Sequence, residues 1–444
     1  MNNNLLKLKK SELLIKCKEL NIRNYSSKNK DELIKLILNI NIEQYENKNV
    51  NSLKFIDLFC GIGGFHQAMT KLGGQCVFAC DIDDNCREIY ERNYGLRPAS
   101  DITKIDINQI PSFDILCAGF PCQPFSKAGQ QKGFQDKRGN LFFNICDIIK
   151  HHNPKYLLLE NVRNLSSHDN GNTWKTIYEL ITTLGYNTYK NPIILNVLHF
   201  NIPQNRERVI IMCKRKDLGE LNQLPIIRKN PKLYLTCNIK DIINNDDIKL
   251  NNEYKVTGKM KKVEEIWDKF IKILISNKIK IPKFPIWTDW WDNDVSSNIT
   301  FYNKYKLWID KNRVFYNINK QLLTSWLETS RVCKLWIGAV RKFEWQAGEE
   351  KENDGMNTVL WTARGSGIRV KRVDYIPTLV AMSMIPVYGP ESRKLTPREL
   401  LRLQSFPDTF EYDKKSIFKQ VGNAVNVKMI ENTAKFLILD DPLF

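Results

Sequence analysis

Short apolar runs alternate with turns and amphipathic stretches through the chain from about residue 53 to residue 214. The runs predict strands over 53–59, 76–80, 114–118, 156–159 and 209–213, with a glycine turn and a helical pattern over 65–72 after the first. Repeated strand and helix units are typical of an α/β fold with an open, mostly parallel, doubly wound sheet. Because ligands of such sheets bind beyond the carboxyl ends of the strands, we expect functional residues where these runs end.

The chain outside this region divides into three further parts. Residues 1–45 contain two amphipathic helical patterns joined by a polar turn, and weakly resemble a SAP-type DNA-binding module; an ordinary helical hairpin that caps the main domain is the alternative. The alternating pattern defines a domain over 52–214 and stops over 215–392, a basic, irregular stretch that holds nine of the ten tryptophans. A stretch of that length predicts a second, smaller domain rather than a loop. Helical patterns return over 393–444, which is expected to rejoin the first domain.

Charge and cysteine usage narrow the class of protein. Lysine and arginine number 67 against 49 acidic residues, a formal charge of +18, which favours a nucleic-acid partner, although a lysine-rich protein with no such partner would look the same. The 11 cysteines form no CxxC pair and no zinc-ligand spacing, so a reducing compartment and no metal site are expected. The sequence contains no signal-peptide pattern and no apolar run of about 20 residues, which predicts a cytoplasmic protein without a membrane span.

One cysteine lies in a distinctive setting at the end of the third predicted strand. Cys122 stands between Pro121 and the pair Gln123-Pro124, and the prolines stiffen the loop that would expose its thiol. A nucleophilic cysteine requires such a rigid and accessible site. Glu160 follows the next strand, where partial burial raises the pKa of a carboxyl and suits it to donate a proton. A structural thiol and an ordinary acid at a strand end are the alternatives for each residue alone.

Further polar residues lie at other strand ends. Gly61 and Gly63 form a turn that allows close approach of a nucleoside cofactor, and Asp81 ends the next strand, where an acid can accept ribose hydroxyls. Arg206 and Arg208 alternate before the strand over 209–213 and would share a face if that strand extended back through them. A structural turn and a solvated charged segment are the respective alternatives.

These blocks, in this order, resemble the cytosine-5 DNA methyltransferase family from about residue 54 to the C-terminus, with a gap over the variable middle region. The most specific blocks are the Pro-Cys loop, Glu160-Asn161-Val162, Gln204-x-Arg-x-Arg208 and Gly422-Asn423-Ala424-Val425. Two departures are Asp81, where the family often has Glu, and Cys60, where it often has a small residue. The resemblance implies a Rossmann-like methyltransferase fold and S-adenosylmethionine as the cofactor.

The resemblance also implies a role for each matched residue. Cys122 would attack carbon 6 of a flipped-out cytosine, Glu160 would protonate nitrogen 3, and Arg206 and Arg208 would fix the base and the adduct. The cofactor would be bound by Phe59, Gly61, Gly63, Asp81, Asp101 and Asn423. The remaining contacts to the substrate would come from Pro121, Gln123, Ser126 and Val162. Gly365 and Gly367, in the recognition region, suit either close approach to DNA or a simple hairpin turn.

Three other functions share parts of this pattern. A tRNA cytosine-5 methyltransferase has the same scaffold, but the roughly 180 residues between Arg208 and Leu395 favour a sequence-specific duplex DNA substrate. A catalytically silent DNA-binding protein would usually lack Cys122 or Glu160. Amino-directed methyltransferases carry an Asp/Asn-Pro-Pro-aromatic loop that this sequence lacks. We therefore expect a monomeric, nucleoid-associated enzyme of the restriction–modification type, with a cognate endonuclease as a functional partner.

Overall fold

The computed structural model describes residues 10–19, 28–30, 32–33, 53–121, 141–227, 230–243, 252–293, 298–332, 338–381 and 384–444. The chain forms two compact units: unit 1 comprises 1–194, 208–227 and 427–444, and unit 2 comprises 195–207 and 228–426. This division differs from the sequence-based one, which places 195–207 and 393–426 with the first domain. Segment 195–207 falls in unit 2 because its strand Gln204–Asn205 pairs with Ile376–Pro377.

Unit 1 is built on a seven-stranded sheet in the order β2-β1-β3-β4-β8-β5, with β6 paired to β8 beside this path. Strands β2, β1, β3 and β4 are parallel, whereas β8 runs antiparallel to both β4 and β5. The chain lays β2 on one side of β1 and β3 on the other, so the predicted doubly wound, mostly parallel sheet is confirmed. The strands are β1 (Lys54–Leu58), β2 (Gln75–Cys80), β3 (Ile115–Gly119), β4 (Tyr156–Val162), β5 (Tyr186–Thr188), β6 (Ile193–Asn196) and β8 (Glu207–Arg215).

Most helices of unit 1 follow a strand, and the helix after β1 lies where the pattern over 65–72 predicts it. They are α1 (Lys10–Glu19), α2 (Gly64–Lys71), α3 (Asp84–Tyr94), α4 (Leu141–His152), α5 (Asn172–Thr183) and α11 (Val427–Leu439). Helix α11 packs against α2, which returns the C-terminal segment to this unit. Most of the second N-terminal helical pattern lies outside the described residues, so the SAP-like module stays a prediction. Among the described helices, none combines the length and apolarity that a membrane crossing requires.

Unit 2 contains more regular structure than its sequence pattern suggests. Its six-stranded sheet has the order β15-β14-β11-β12-β10-β9, and β7 pairs with β13 separately. Five tryptophans are buried in its core: Trp267, Trp291, Trp326, Trp345 and Trp361. The strands are β7 (Gln204–Asn205), β9 (Ile286–Trp287), β10 (Lys342–Trp345), β11 (Val359–Arg364), β12 (Gly367–Arg372), β13 (Ile376–Pro377), β14 (Val387–Tyr388) and β15 (Arg393–Lys394). The helices are α6 (Gly258–Ser276), α7 (Ile299–Ile318), α8 (Lys320–Val332), α9 (Pro397–Leu403) and α10 (Ile417–Asn423).

Strands β11 and β12 form a hairpin in which Arg364 pairs with Gly367 across a two-residue turn. The turn interpretation of the two glycines is therefore correct. One face of the hairpin contributes Trp361, Ile368 and Val370 to the core of unit 2. Because side chains alternate along a strand, the other face carries polar and basic side chains at positions 362, 364, 369 and 371.

Candidate active site

The glycine turn after β1 has positive φ angles, which residues other than glycine adopt only with strain. Gly61 and Gly63 have φ values of +52° and +84°. A Cβ atom at Gly63 would lie 2.2 Å from the ring of Tyr94, whose hydroxyl donates a 3.0 Å hydrogen bond to the Gly63 carbonyl. At Gly61, by contrast, a Cβ atom would meet no described atom within 4 Å. Gly63 therefore serves packing beneath the turn, while Gly61 borders open space above it.

Asp81 is held beside this turn by its own hydrogen bonds. Its Oδ2 accepts the Gly61 N–H at 2.7 Å, and its Oδ1 accepts the Asp83 N–H at 2.8 Å. Burial raises the pKa of Asp81, and these backbone hydrogen bonds oppose that shift. The acid predicted to bind ribose is thus tied to the glycine turn at the neighbouring strand end.

The remaining predicted cofactor residues of unit 1 lie near the same strand ends. Phe59 follows β1 in a left-handed conformation, with φ of +55°. Asp101 caps a short 3-10 helix, and its hydrogen bonds from the hydroxyl and N–H of Thr103 lower its pKa. Ile82, directly after Asp81, is 79% exposed, which makes it a candidate site residue that the sequence-based prediction did not include. The sequence feature that could have indicated it is an aliphatic residue between two acids, Asp81 and Asp83, at the end of a strand.

A buried polar cluster lies beneath the glycine turn. Asp57 is fully buried, and its Oδ2 accepts the His66 N–H at 3.3 Å and the Tyr90 hydroxyl at 3.5 Å. The Tyr90 hydroxyl also lies 2.7 Å from Nδ1 of His66. Burial raises the pKa of Asp57 well above its usual value and lowers the pKa of His66 to about 4. The cluster joins β1, α2 and α3 through groups that change charge with pH.

The chain leaves β3 for the predicted nucleophile loop directly beside Glu160. Gly119, the last residue of β3, pairs with Glu160 of β4. The next carbonyl, of Phe120, accepts a 2.8 Å hydrogen bond from Nδ2 of the buried Asn161. Pro121 is exposed. Cys122, Gln123 and Ser126 lie outside the described residues, so the structure fixes the start of the loop and not the thiol.

Glu160 and Arg208 form a nearly buried ion pair in unit 1. Arg208 Nε lies 2.7 Å from Glu160 Oε1, and the two side chains are 11% and 9% exposed. The antiparallel register brings them together, because Arg208 pairs with Val162, two residues beyond Glu160. Val162 is 42% exposed at the same strand end. The pairing fixes the orientation of a carboxyl group at the edge of the sheet.

The expectation that Arg206 and Arg208 share a face is wrong. Arg206 lies between β7 and β8 rather than within an extended strand, since its N–H bonds to the carbonyl of Gln204 and its carbonyl accepts the N–H of Val197. Its side chain is fully buried in unit 2. There its guanidinium group donates to the carbonyls of Leu379, Gly422 and Ala424. Asn423, the other predicted site residue of unit 2, is exposed between two of these acceptors.

Comparison with known proteins finds a family and a relative that match most of the chain. The family model for C-5 cytosine-specific DNA methylases matches residues 53–438. The type II methyltransferase M.HhaI of Haemophilus parahaemolyticus is 46% identical over 173 residues, which cover 39% of this chain and 52% of M.HhaI. The chain thus spans about half the length of that relative. M.NgoBI of Neisseria gonorrhoeae is 33% identical over 391 residues, which cover 87% of this chain and 93% of that protein.

A solved structure supports the fold independently of close sequence identity. A prophage-encoded protein of Escherichia coli, described as a DNA modification methyltransferase, superposes with a TM-score of 0.50 at 19% identity. The superposition covers 88% of this chain and all of that one. The long family match and the full-length similarity to M.NgoBI establish that this chain belongs to the C-5 cytosine-specific DNA methylase family.

Proposed function

We propose that the chain methylates carbon 5 of a cytosine flipped out of duplex DNA, through a covalent adduct with Cys122. The observation that carries this proposal is the Glu160–Arg208 ion pair, 2.7 Å long and nearly buried, at the strand end that adjoins the Pro121-Cys122 loop. A cytosine is attacked at carbon 6 more readily when nitrogen 3 is protonated, so the reaction requires an oriented carboxyl close to the thiol. Family membership supports the same reaction.

The residues of the chain would divide the chemistry as follows. The Cys122 thiolate adds to carbon 6, the ring electrons move toward nitrogen 3, and Glu160 delivers a proton there. Arg208 holds the carboxyl of Glu160 in place and stabilises its charge after proton transfer. After carbon 5 takes the methyl group, a base removes the proton from carbon 5, the thiolate leaves carbon 6, and nitrogen 3 returns its proton to the carboxylate of Glu160. Cytosine reaches these residues by base flipping, because a stacked base cannot contact them.

The described strand ends fit S-adenosylmethionine. Gly61 borders open space, Asp81 presents a carboxyl beside it, and exposed Ile82 offers an apolar surface next to that acid. Such a set suits a nucleoside: close backbone approach, an acceptor for ribose hydroxyls and an apolar contact for a base. Phe59, Asp101 and Asn423 complete the proposed contacts, and Gly63 shapes the turn that carries Gly61. When bound, the cofactor supplies an electrophilic methyl group on a sulfonium centre.

A basic face of the sheet in unit 2 supports a polyanionic substrate. Arg369 is 3.1 Å from Glu344, whereas Arg364 and Lys371 contact no carboxylate in the part of the chain that the structure describes. Burial and the charge of Arg369 lower the pKa of Arg364, and burial and the charge of Arg364 lower that of Lys371. Partly buried cations that repel one another are stabilised by an anion such as a phosphate group. Backbone phosphates contribute much of the affinity of DNA-binding proteins. We propose that this face contacts the duplex.

Methyl transfer from isotopically labelled S-adenosylmethionine tests the proposal. Duplex DNA and tRNA would be compared as substrates, each with the wild-type protein and with Cys122→Ser, and the products digested to nucleosides. We expect labelled 5-methylcytosine in DNA with wild type and none with the variant. Labelling of tRNA alone would move the proposal to an RNA substrate, and duplex binding with no transfer to either would identify a catalytically silent protein. A monomer and a cognate endonuclease remain part of the proposal, and sedimentation tests the first.

A further inference from the structure

Arg206 makes an unusual set of contacts for a residue in a predicted catalytic block. Its Nη1 donates to the carbonyls of Leu379 at 2.9 Å and Gly422 at 3.1 Å. Its Nη2 donates to the carbonyls of Gly422 at 3.1 Å and Ala424 at 2.8 Å. All four bonds lie within unit 2, and the side chain has no exposed surface. A guanidinium group used in this way organises backbone rather than binding a base.

The acceptors of these bonds surround one exposed residue. Gly422 and Ala424 are buried, while Asn423 between them is exposed. Helix α10 ends at Asn423, so the carbonyls at this point are those that a helix leaves without a partner. A cation is favourable at a helix C-terminus, since the carbonyl dipoles point toward it. Arg206 therefore fixes the backbone on both sides of Asn423.

The hydrogen bonds of Arg206 also hold the segment Leu379–Val380 against the end of α10. A Cβ atom at Gly422 would lie 2.4 Å from the carbonyl carbon and oxygen of Val380, so the two backbones are in direct contact. Arg206 binds the carbonyl of Leu379, one residue earlier. One guanidinium group thus joins the Leu379–Val380 backbone to the end of α10. A lysine, with a single ammonium group, cannot span three carbonyls with the planar geometry of arginine.

From this geometry we infer that Arg206 is a positioning residue that presents Asn423 to the cofactor, and that it is not a contact of the target base. The inference rests on the proposed function, which assigns Asn423 to the cofactor. The inference gives different roles to two arginines that lie two residues apart: Arg208 orients the catalytic carboxyl, and Arg206 supports cofactor binding. The two roles predict different defects when each arginine is replaced by lysine.

Calorimetric titration with S-adenosylhomocysteine, the demethylated product, measures cofactor affinity without turnover. Arg206→Lys is expected to weaken binding roughly 10-fold, as the loss of one hydrogen bond from a displaced Asn423 to a charged ligand would predict. The matched control, Arg208→Lys, is expected to bind S-adenosylhomocysteine as wild type does while its methyl transfer is slowed. Normal affinity in Arg206→Lys, together with slowed covalent trapping on 5-fluorocytosine DNA, would overturn the inference in favour of a base contact.

A double-mutant cycle separates positioning from general destabilisation. If Arg206 acts through Asn423, combining Arg206→Lys with Asn423→Ala should weaken binding little more than either change alone. If the fold-loss of affinity in the double variant equals the product of the two single fold-losses, the inference is contradicted. Should Arg206→Lys fail to fold, Gly422→Ala disturbs the same backbone contact and should reduce cofactor affinity while duplex binding is retained; unchanged affinity would also count against the inference. Failure of the wild type to bind S-adenosylhomocysteine would instead refute the proposed function.

Discussion

Replacing Glu160 with glutamine tests the role of the buried carboxyl most selectively. The two side chains have nearly the same shape, and the amide can still contact Arg208, but it has no acidic proton to deliver to nitrogen 3. Glu160 is 7% exposed, so solvent water cannot readily substitute for it. Positioned general acids contribute roughly 10²- to 10⁴-fold to rate, or about 3–5 kcal/mol of barrier. We expect Glu160→Gln to lower kcat by that factor.

The assay measures single-turnover methyl transfer at saturating DNA and cofactor, so that binding does not limit the rate. A matched control is Asp217→Asn, because Asp217 pairs with Arg215 at the same 2.7 Å distance but is 59% exposed. Loss of an exposed ion pair of this kind should leave the rate near that of wild type. Covalent trapping on 5-fluorocytosine DNA should slow in Glu160→Gln as well, since addition of the thiol needs the proton at nitrogen 3. A decrease in kcat of less than tenfold, with trapping unchanged, would refute the assigned role.

Three further predictions concern the surroundings of the site. Gly63→Ala places a Cβ atom 2.2 Å from Tyr94 at a φ of +84°, so it should lower the free energy of unfolding by about 1–3 kcal/mol in urea titrations, and an unchanged midpoint would contradict the packing described. His66 has a folded pKa lowered to about 4, so its contribution to stability is present above its unfolded pKa and is lost as pH falls from about 6.5 to 4, by about 3 kcal/mol in total. The difference between wild type and His66→Gln isolates this loss from Asp57, whose raised pKa acts in the opposite direction, and a pH-independent difference would exclude it. Lys371→Ala should reduce the slope of log K for duplex binding against log salt by about 0.9 if Lys371 contacts a phosphate, and the same slope as wild type would remove it from the interface.

Five of the seven strands of the unit 1 sheet were predictable because their signals are local, whereas the short strands β5 and β6 were not predicted. Apolar runs such as 115–118 and 157–159 are buried on the parallel part of the sheet and therefore appear as continuous hydrophobic segments. The order of functional residues at strand ends follows from the same pattern, and Asp81 lies beside Gly61 as a doubly wound sheet requires. The turn at 365–366 also carried a local signal, because Gly365 lies in the turn and Gly367 directly follows it.

What could not be predicted depends on pairing between distant segments. Strands of two residues, such as Gln204–Asn205 and Ile376–Pro377, carry no periodic signal, yet their pairing determines that 195–207 belongs to unit 2. The break between β7 and β8 at Arg206 directs its side chain into the core of unit 2. The spacing of two residues between Arg206 and Arg208 cannot reveal this break. Sequence alone places Arg206 and Arg208 in one block; the structure assigns their side chains to different units with different partners.

A covalent link between Cys122 and cytosine is the most direct evidence for the proposed reaction. Duplex DNA containing 5-fluorocytosine would be incubated with the protein and S-adenosylmethionine, and the trapped complex digested and mapped by mass spectrometry. Fluorine at carbon 5 blocks the final elimination, so we expect a methylated fluorocytosine nucleotide attached to the peptide that contains Cys122. An adduct on another cysteine, or efficient 5-methylcytosine formation by Cys122→Ser, would contradict it.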